Sequence, residues 1–247
     1  MPTSPPSNAA PIAIRISKVA KRYARLQVLD GVDLEVRQGE FFGLVGVNGA
    51  GKTTCIKGLL DFTSIDAGSV EIFGVQHRET GARSQLAFLP ERFLPPYYLS
   101  GRDFLDYMGR LNGRIADQAE RASMCERLDL DPAALAKPVR EYSKGMAQKL
   151  GLAASFLSGK NLFVLDEPMS GLDPKARLLV KRHLHSCHAE GRTVFISTHM
   201  LSDVDELCDR MGILHGGKLR FVGSPQECRD SYSSDSLEEA YLSCISS

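Results

Sequence analysis

One run of residues constrains this chain more than any other: Gly46-Val47-Asn48-Gly49-Ala50-Gly51-Lys52-Thr53-Thr54. It fits the pattern G-x-x-x-x-G-K-[ST] and directly follows Phe41-Phe42-Gly43-Leu44-Val45, a short, almost wholly apolar stretch of the kind that forms a buried strand. Glycines let the backbone curl so that successive N–H groups point inward, and the helix that follows adds its positive end. The result is a cradle for phosphates, dense enough in donors for a triphosphate. Lys52 reaches the β- and γ-phosphates, the Thr53 hydroxyl is placed to ligate Mg²⁺, and Thr54 bonds the α-phosphate. Nucleotide binding by Gly46 to Thr54 is the first expectation.

The surrounding pattern agrees with an α/β domain. Short apolar runs alternate with helical ones, the mark of a mostly parallel sheet. Leu162–Leu165 and Thr193–Ile196 are further buried-strand candidates, whereas Ile12–Val19 and Val28–Val36 alternate like antiparallel strands with one exposed face. Residues from about 101 to 158 contain no convincing strand and read as an inserted helical subdomain, taken as about 95–160 with its flanks. The expected organisation is a flexible tail over 1–13, one nucleotide-binding domain over 14–232, and a peripheral serine-rich tail over 233–247. The fold class expected is a P-loop ATPase core with a mostly parallel sheet, an antiparallel β subdomain and the helical insertion.

Composition removes several alternatives. Thirty basic residues balance thirty acidic ones, so nothing points to nucleic acid or to a polybasic membrane anchor. The six cysteines include no Cys-x-x-Cys pair and read as reduced thiols, not as a disulfide framework or zinc site. The first residues lack the basic start and apolar stretch of a signal peptide, and no apolar run approaches the ~18 to 20 residues needed to span a bilayer.

A second constellation completes the chemistry. Asn161-Leu162-Phe163-Val164-Leu165-Asp166-Glu167-Pro168 sets two acids at the end of an apolar strand, where ligands of an open parallel sheet gather. Asp166 is read as part of the Mg²⁺ shell, and Glu167, pointing differently along the extended chain, as the general base that polarises the attacking water.

P-loop proteins include kinases, GTPases and many motors, so these two motifs do not choose among them. No Asn-Lys-x-Asp base-reading motif is present, which argues against a GTPase. The choice falls to Tyr142-Ser143-Lys144-Gly145-Met146-Ala147-Gln148 before Asp166, Ser170-Gly171-Leu172-Asp173-Pro174 after it, and Ser197-Thr198-His199 at the end of the next strand. This order resembles the ATP-binding cassette (ABC) family over roughly residues 14–225. The resemblance implies a head-to-tail dimer of two copies sandwiching two ATP molecules. It places Ser143 and the Gly145 backbone against the γ-phosphate bound to the other copy, and gives Asp173 communication between the two sites. His199 would contact the γ-phosphate and the attacking water, and Tyr23 would stack on adenine.

The chain also departs from the family pattern. Lys144 and Met146 replace a glycine and a glutamine of the usual signature, while Ser143 and Gly145 remain. Glu91, after Leu86-Ala87-Phe88-Leu89-Pro90, stands where the family has a glutamine that contacts Mg²⁺. A carboxylate there is either a direct, harder Mg²⁺ ligand or a solvent-facing loop acid. The loop Arg92-Phe93-Leu94-Pro95-Pro96-Tyr97-Tyr98 reads equally as a docking surface for a membrane partner and as packing for the helical subdomain. Cys55, just after the phosphate loop, is expected to be alkylated more slowly when ATP is bound.

The functional expectation is therefore the ATP-binding subunit of a transporter. It would hydrolyse Mg²⁺-ATP and act through a separately encoded transmembrane permease at the cytoplasmic face of a membrane, a bacterial inner membrane being the natural setting. The segments Leu99–Phe104 and Ser236–Leu242 resemble export cassettes of the ABC-2 type. The alternative is a soluble ABC-type ATPase acting on ribosomes or nucleic acid.

Overall fold

Strand β3 (Phe41–Val45) is buried at every position, and it can be so only because strands flank it on both sides. The computed structural model describes residues 10–246; most of the expected N-terminal tail, residues 1–9, lies outside them. In chain order the other strands are β1 (Ile12–Tyr23), β2 (Leu26–Arg37), β4 (Ala67–Ile72), β5 (Val75–Gln76), β6 (Leu86–Leu89), β7 (Leu162–Asp166), β8 (Thr193–Thr198), β9 (Arg210–His215) and β10 (Lys218–Gly223). The helices are α1 (Lys52–Leu59), α2 (Gly101–Asn112), α3 (Gln118–Arg127), α4 (Lys144–Leu157), α5 (Pro174–Ala189), α6 (Leu201–Leu207), α7 (Pro225–Ser231) and α8 (Leu237–Ser246).

Two sheets result. The larger runs β10-β9-β3-β8-β7-β6 and is parallel from β9 to β6, with β10 returning antiparallel at one edge. The smaller, β2-β1-β4-β5, is antiparallel throughout. Alternation along the central strands sorts side chains to the two faces of the larger sheet. Phe42, Leu44, Leu162, Val164 and Phe195 join a core under the antiparallel sheet and α1, with Ile14, Leu34 and Ile56. Phe41, Phe163, Leu165, Val194 and Ile196 face the other way, into a core shared with α4, α5 and the helical subdomain. The expected mixed α/β class with its antiparallel and helical parts is the fold observed. In the inserted region α2, α3 and α4 are accompanied by two 3₁₀ turns.

Helix starts follow their capping residues. Ser100 and Asp117 open α2 and α3 with reciprocal capping boxes, Ser143 caps α4 through Met146 N, and Asp173 caps α5 through Ala176 N ahead of Pro174. Helix α1 is different. Gly51 precedes it at φ 108° and no side chain caps it, so its first amides are left for a ligand.

The serine-rich end departs from its reading as peripheral. Helix α8 buries Leu237, Ala240, Tyr241 and Cys244 in a third core with Val45, Val204, Met211 and Ile213, so it braces the strand that leads into the phosphate loop. Serines made that segment look unstructured, but its apolar residues recur at helical spacing.

Phe195 and Phe42 pair in register and stack with ring centroids 5.8 Å apart at the centre of the sheet. Phe195→Ala is expected to cost about 3–5 kcal/mol in urea unfolding. Tyr97→Ala, at a residue 69% exposed, is expected to change stability by less than about 0.5 kcal/mol.

Candidate active site

Three parallel strands end in step at one edge of the sheet. Val45 pairs with Thr198 and Asp166 with Ser197, so the turns that follow β3, β7 and β8 converge. They bring Gly46 to Thr54, Glu167 and His199 to one place. A cleft of about 270 Å³ opens there, lined by Val28, Val47, Asn48, Gly49, Gly51, Lys52, Thr53, Thr54, Glu91 and Glu167.

The loop conformation depends on its glycines. Gly51 lies at φ +108°, and a Cβ on it would come 2.8 Å from the Val28 carbonyl oxygen. A Cβ on Gly46 would meet the Leu214 carbonyl oxygen at 2.5 Å, so the loop is seated directly against β9. Lys52 is 7% exposed. Its ammonium donates to the carbonyls of Gly46 (2.6 Å) and Val47 (3.4 Å) and lies 3.6 Å from Glu167 Oε1. A buried cation held mainly by backbone carbonyls suits an incoming anion, which would give it a stronger partner.

The two acids are held differently. Asp166, 2% exposed, accepts from Thr53 Oγ1 at 2.9 Å and from the Ser197 hydroxyl. Glu167 sits at φ 48°, a left-handed conformation that costs a non-glycine residue about 1–3 kcal/mol. Its N–H donates to Ser197 O (3.1 Å) and lies 3.2 Å from Ser197 Oγ, which fixes the turn. The same turn is braced from α4, where Gln148 Nε2 donates to Pro168 O at 2.9 Å. Both Glu167 carboxylate oxygens lie 3.0 Å from His199 Nδ1. An ionised carboxylate has no proton to give, so Nδ1 carries the hydrogen.

Thr53 and Asp166 are a hydroxyl and a carboxylate in contact, hard oxygen donors that suit Mg²⁺. Among the described residues no cluster of three His, Cys, Asp or Glu side chains forms a metal cage.

Other expected residues lie outside this cleft. Tyr23 is 45% exposed, its hydroxyl 3.3 Å from Thr63 Oγ1, with Lys21 Nζ 5.3 Å from its ring centroid. Ser143 caps α4, and Gly145 packs beside Gly171, where an added Cβ would sit 3.4 Å from the Gly171 carbonyl oxygen. The Lys144 stem lies across Gly171, and the Asp173 carboxylate caps α5. Signature and post-Glu167 turn are thus neighbours in one chain.

Sequence reasoning missed several contributors. Val28 lines the cleft from the antiparallel sheet, and only the packing of the two sheets against each other brings it there. Ser197 supplies a hydroxyl at the end of an otherwise apolar strand, and that placement is its only signal in the sequence. Tyr241, on α8, is buried with its hydroxyl facing the Val47 N–H; burial raises its phenol pKa and that N–H opposes the rise. Cys55 is 3% exposed and burial pushes its thiol up to about 12, which disfavours the reactive thiolate.

Comparison with known proteins places these features in a family. The family model described as ABC transporter matches residues 29–170. An uncharacterised ABC transporter ATP-binding protein of Synechocystis is 37% identical over 206 residues, 82% of this chain and 58% of that protein. A daunorubicin resistance ATP-binding protein of Streptomyces coeruleorubidus is 34% identical, covering 93% of this chain and 73% of its own. A Nod factor export ATP-binding protein of Mesorhizobium japonicum is 34% identical, covering 97% and 71%. The chain spans 58% and 60% of the length of the first two curated relatives it matches. A solved ATP-binding subunit of an ABC transporter superposes with a TM-score of 0.86 at 28% identity, covering 94% of this chain and 99% of that one.

Ser197→Ala removes the hydroxyl that serves both Asp166 and the Glu167 amide. The expected cost is about 1–3 kcal/mol in urea unfolding, together with slower ATP hydrolysis.

Proposed function

The chain belongs to the ABC transporter family as an ATP-binding cassette, and we propose that it hydrolyses Mg²⁺-ATP to drive export through a separately encoded permease. The observation that carries this reading is the meeting of Lys52, Thr53, Asp166, Glu167 and His199 where three parallel strands end.

Lys52 and the amides of Gly49 to Thr54 bind and orient the triphosphate, and Val28 packs against the bound nucleotide from the antiparallel sheet. Glu167 is the general base: its rigid turn aims the carboxylate at a water, and His199 holds that carboxylate through Nδ1–H. Thr53 and Asp166, with Glu91 at the cleft wall, hold the Mg²⁺. The ion supplies neutralisation of the charge that builds on the phosphates. Tyr23 stacks on the adenine.

A second copy of the chain completes the site. Ser143 and Gly145 line no part of their own chain's phosphate cleft, which supports their use on the γ-phosphate of a partner, with Asp173 between the two sites. No helix among the described residues is long and apolar enough to cross a membrane. In this reading the permease carries the cargo. The exposed Leu94, Tyr97 and Tyr98, at 88%, 69% and 70%, offer it an apolar contact. The direction of transport follows the relatives named for drug resistance and Nod factor export. The cassette would lie at the cytoplasmic face of the membrane, attached through that permease.

Glu167→Gln is expected to keep ATP affinity within about threefold while lowering hydrolysis by a factor of about 10² or more; undiminished turnover would remove Glu167 as the base. Glu91→Gln is expected to shift the Mg²⁺ concentration needed for half-maximal hydrolysis, read by a Mg²⁺ titration at fixed ATP. Gentle solubilisation of membranes and mass spectrometry of what co-purifies tests the transporter role. A multi-spanning protein in stoichiometric amount supports it, whereas ribosomal or nucleic-acid-associated partners alone would favour the soluble alternative.

A further inference from the structure

His199 is half exposed, with 50% of its side chain accessible, yet it must keep a fixed distance to Glu167. Its own segment offers little to hold it. Thr198 Oγ1 accepts from Met200 N at 3.0 Å, and α6 then begins with no side-chain cap. The first firm anchor is Asp203, in the opening turn of α6.

Asp203 has a side chain only 2% exposed and faces two cations from α5. Arg177 Nη2 donates to both of its carboxylate oxygens, at 3.1 and 3.0 Å, and Lys181 Nζ lies 2.9 Å from Oδ1. A buried carboxylate needs a cation, and Lys181 alone meets that need. Arg177 therefore adds something besides neutrality. It lies in the first turn of α5, its amide bonded to the carbonyl of Asp173 at 2.9 Å, and Asp173 closes the turn that began at Glu167. Arg177 and Asp203 also line one cavity of about 190 Å³ together with Glu167, Ser170, Gly171 and His199. One ion pair thus ties the start of the helix after the Ser170–Asp173 turn to the start of the helix after His199.

We propose that Arg177 and Asp203 are positioning residues. Their ion pair is a strut that holds His199 at its contact with Glu167, and through it a movement of the Ser170–Asp173 turn becomes a movement of the histidine. The inference rests on the reading of Glu167 and His199 as the hydrolytic pair. Two rigid elements joined by a charge-assisted hydrogen bond move together. Asp173 caps α5 and Arg177 leaves its first turn, so the strut reaches back to the turn that packs against Gly145.

The test is a double-mutant cycle on the purified full chain, with Mg²⁺-ATP as substrate. Arg177→Gln is the variant of choice, because Arg177 is 29% exposed and Lys181 still pairs with Asp203. The expected result is a kcat roughly tenfold lower, with KM within about twofold of wild type and a nearly unchanged melting temperature. In a His199→Ala background the same change should alter kcat by less than about twofold, since the strut then has nothing to position. An equal factor in both backgrounds overturns the strut, and so does a fall in melting temperature with full activity per folded molecule. A His199→Ala variant that turns over at the wild-type rate removes the role of His199 itself and the strut with it. A slow His199→Ala with equal factors removes the strut alone.

Discussion

The parallel register of β3, β8 and β7 is the constraint on which every functional contact depends, because the three loops that leave those strands have no other reason to meet. Val45 opposite Thr198, and Asp166 opposite Ser197, set the ends of the strands level to within a residue. A shift of one residue in β7 would send Asp166 to the other face of the sheet and leave Thr53 without its acceptor. Such a slip is costly because both faces are buried: Phe163 and Leu165 face one core, Leu162 and Val164 the other. The packing of the sheet and the geometry of the site are one requirement.

Within that frame the site holds buried charge in a poised condition. Lys52 spends its donors on loop carbonyls, and Asp166 rests between two hydroxyls with no cation beside it. Glu167 occupies a left-handed conformation that glycine would adopt without strain. Lys52 would gain from the arrival of a phosphate group, and Asp166 from that of a metal ion. The strain at Glu167 is maintained by Ser197 and Gln148, which bond the backbone on either side of it.

Local motifs made the phosphate loop and the acids legible, since their chemistry needs residues adjacent in sequence. The buried strands were legible too, because four or five consecutive apolar residues bounded by a turn have few other uses. Strands β9 and β10 escaped, their hydrophobic signal being diluted by Arg210, Lys218 and Arg220. Helix α8 escaped because its serines resemble a tail while its apolar spacing matters only against a partner core. Ser197, Val28 and the Arg177–Asp203 pair were invisible for a different reason. Ser197 meets Asp166 across 31 positions and Arg177 meets Asp203 across 26, while Val28 reaches the cleft from a different sheet, and no local pattern records any of these.

Water exclusion is the physical argument behind the proposal that a second copy completes this site. Phosphoryl transfer depends on fixed dipoles acting where solvent is kept out. Here the inner wall meets that condition, with Lys52, Asp166, Glu167 and Ser197 all nearly inaccessible. The outer wall does not, for the cleft is open and His199 is half exposed. The groups suited to close it, the Ser143 hydroxyl and the amides at the start of α4, stand at the surface beside the Gly171 turn and away from the cleft. A helix start carrying a serine cap and a close glycine is an anion-binding surface in search of an anion. In the proposed pair of copies, the phosphate it would fit is the one held by the other copy. Closing two copies head to tail would satisfy both walls at once, and the gain from doing so exists only while nucleotide is bound. Under that proposal hydrolysis would become a mechanical event, because loss of the phosphate would remove the reason for the two copies to stay together.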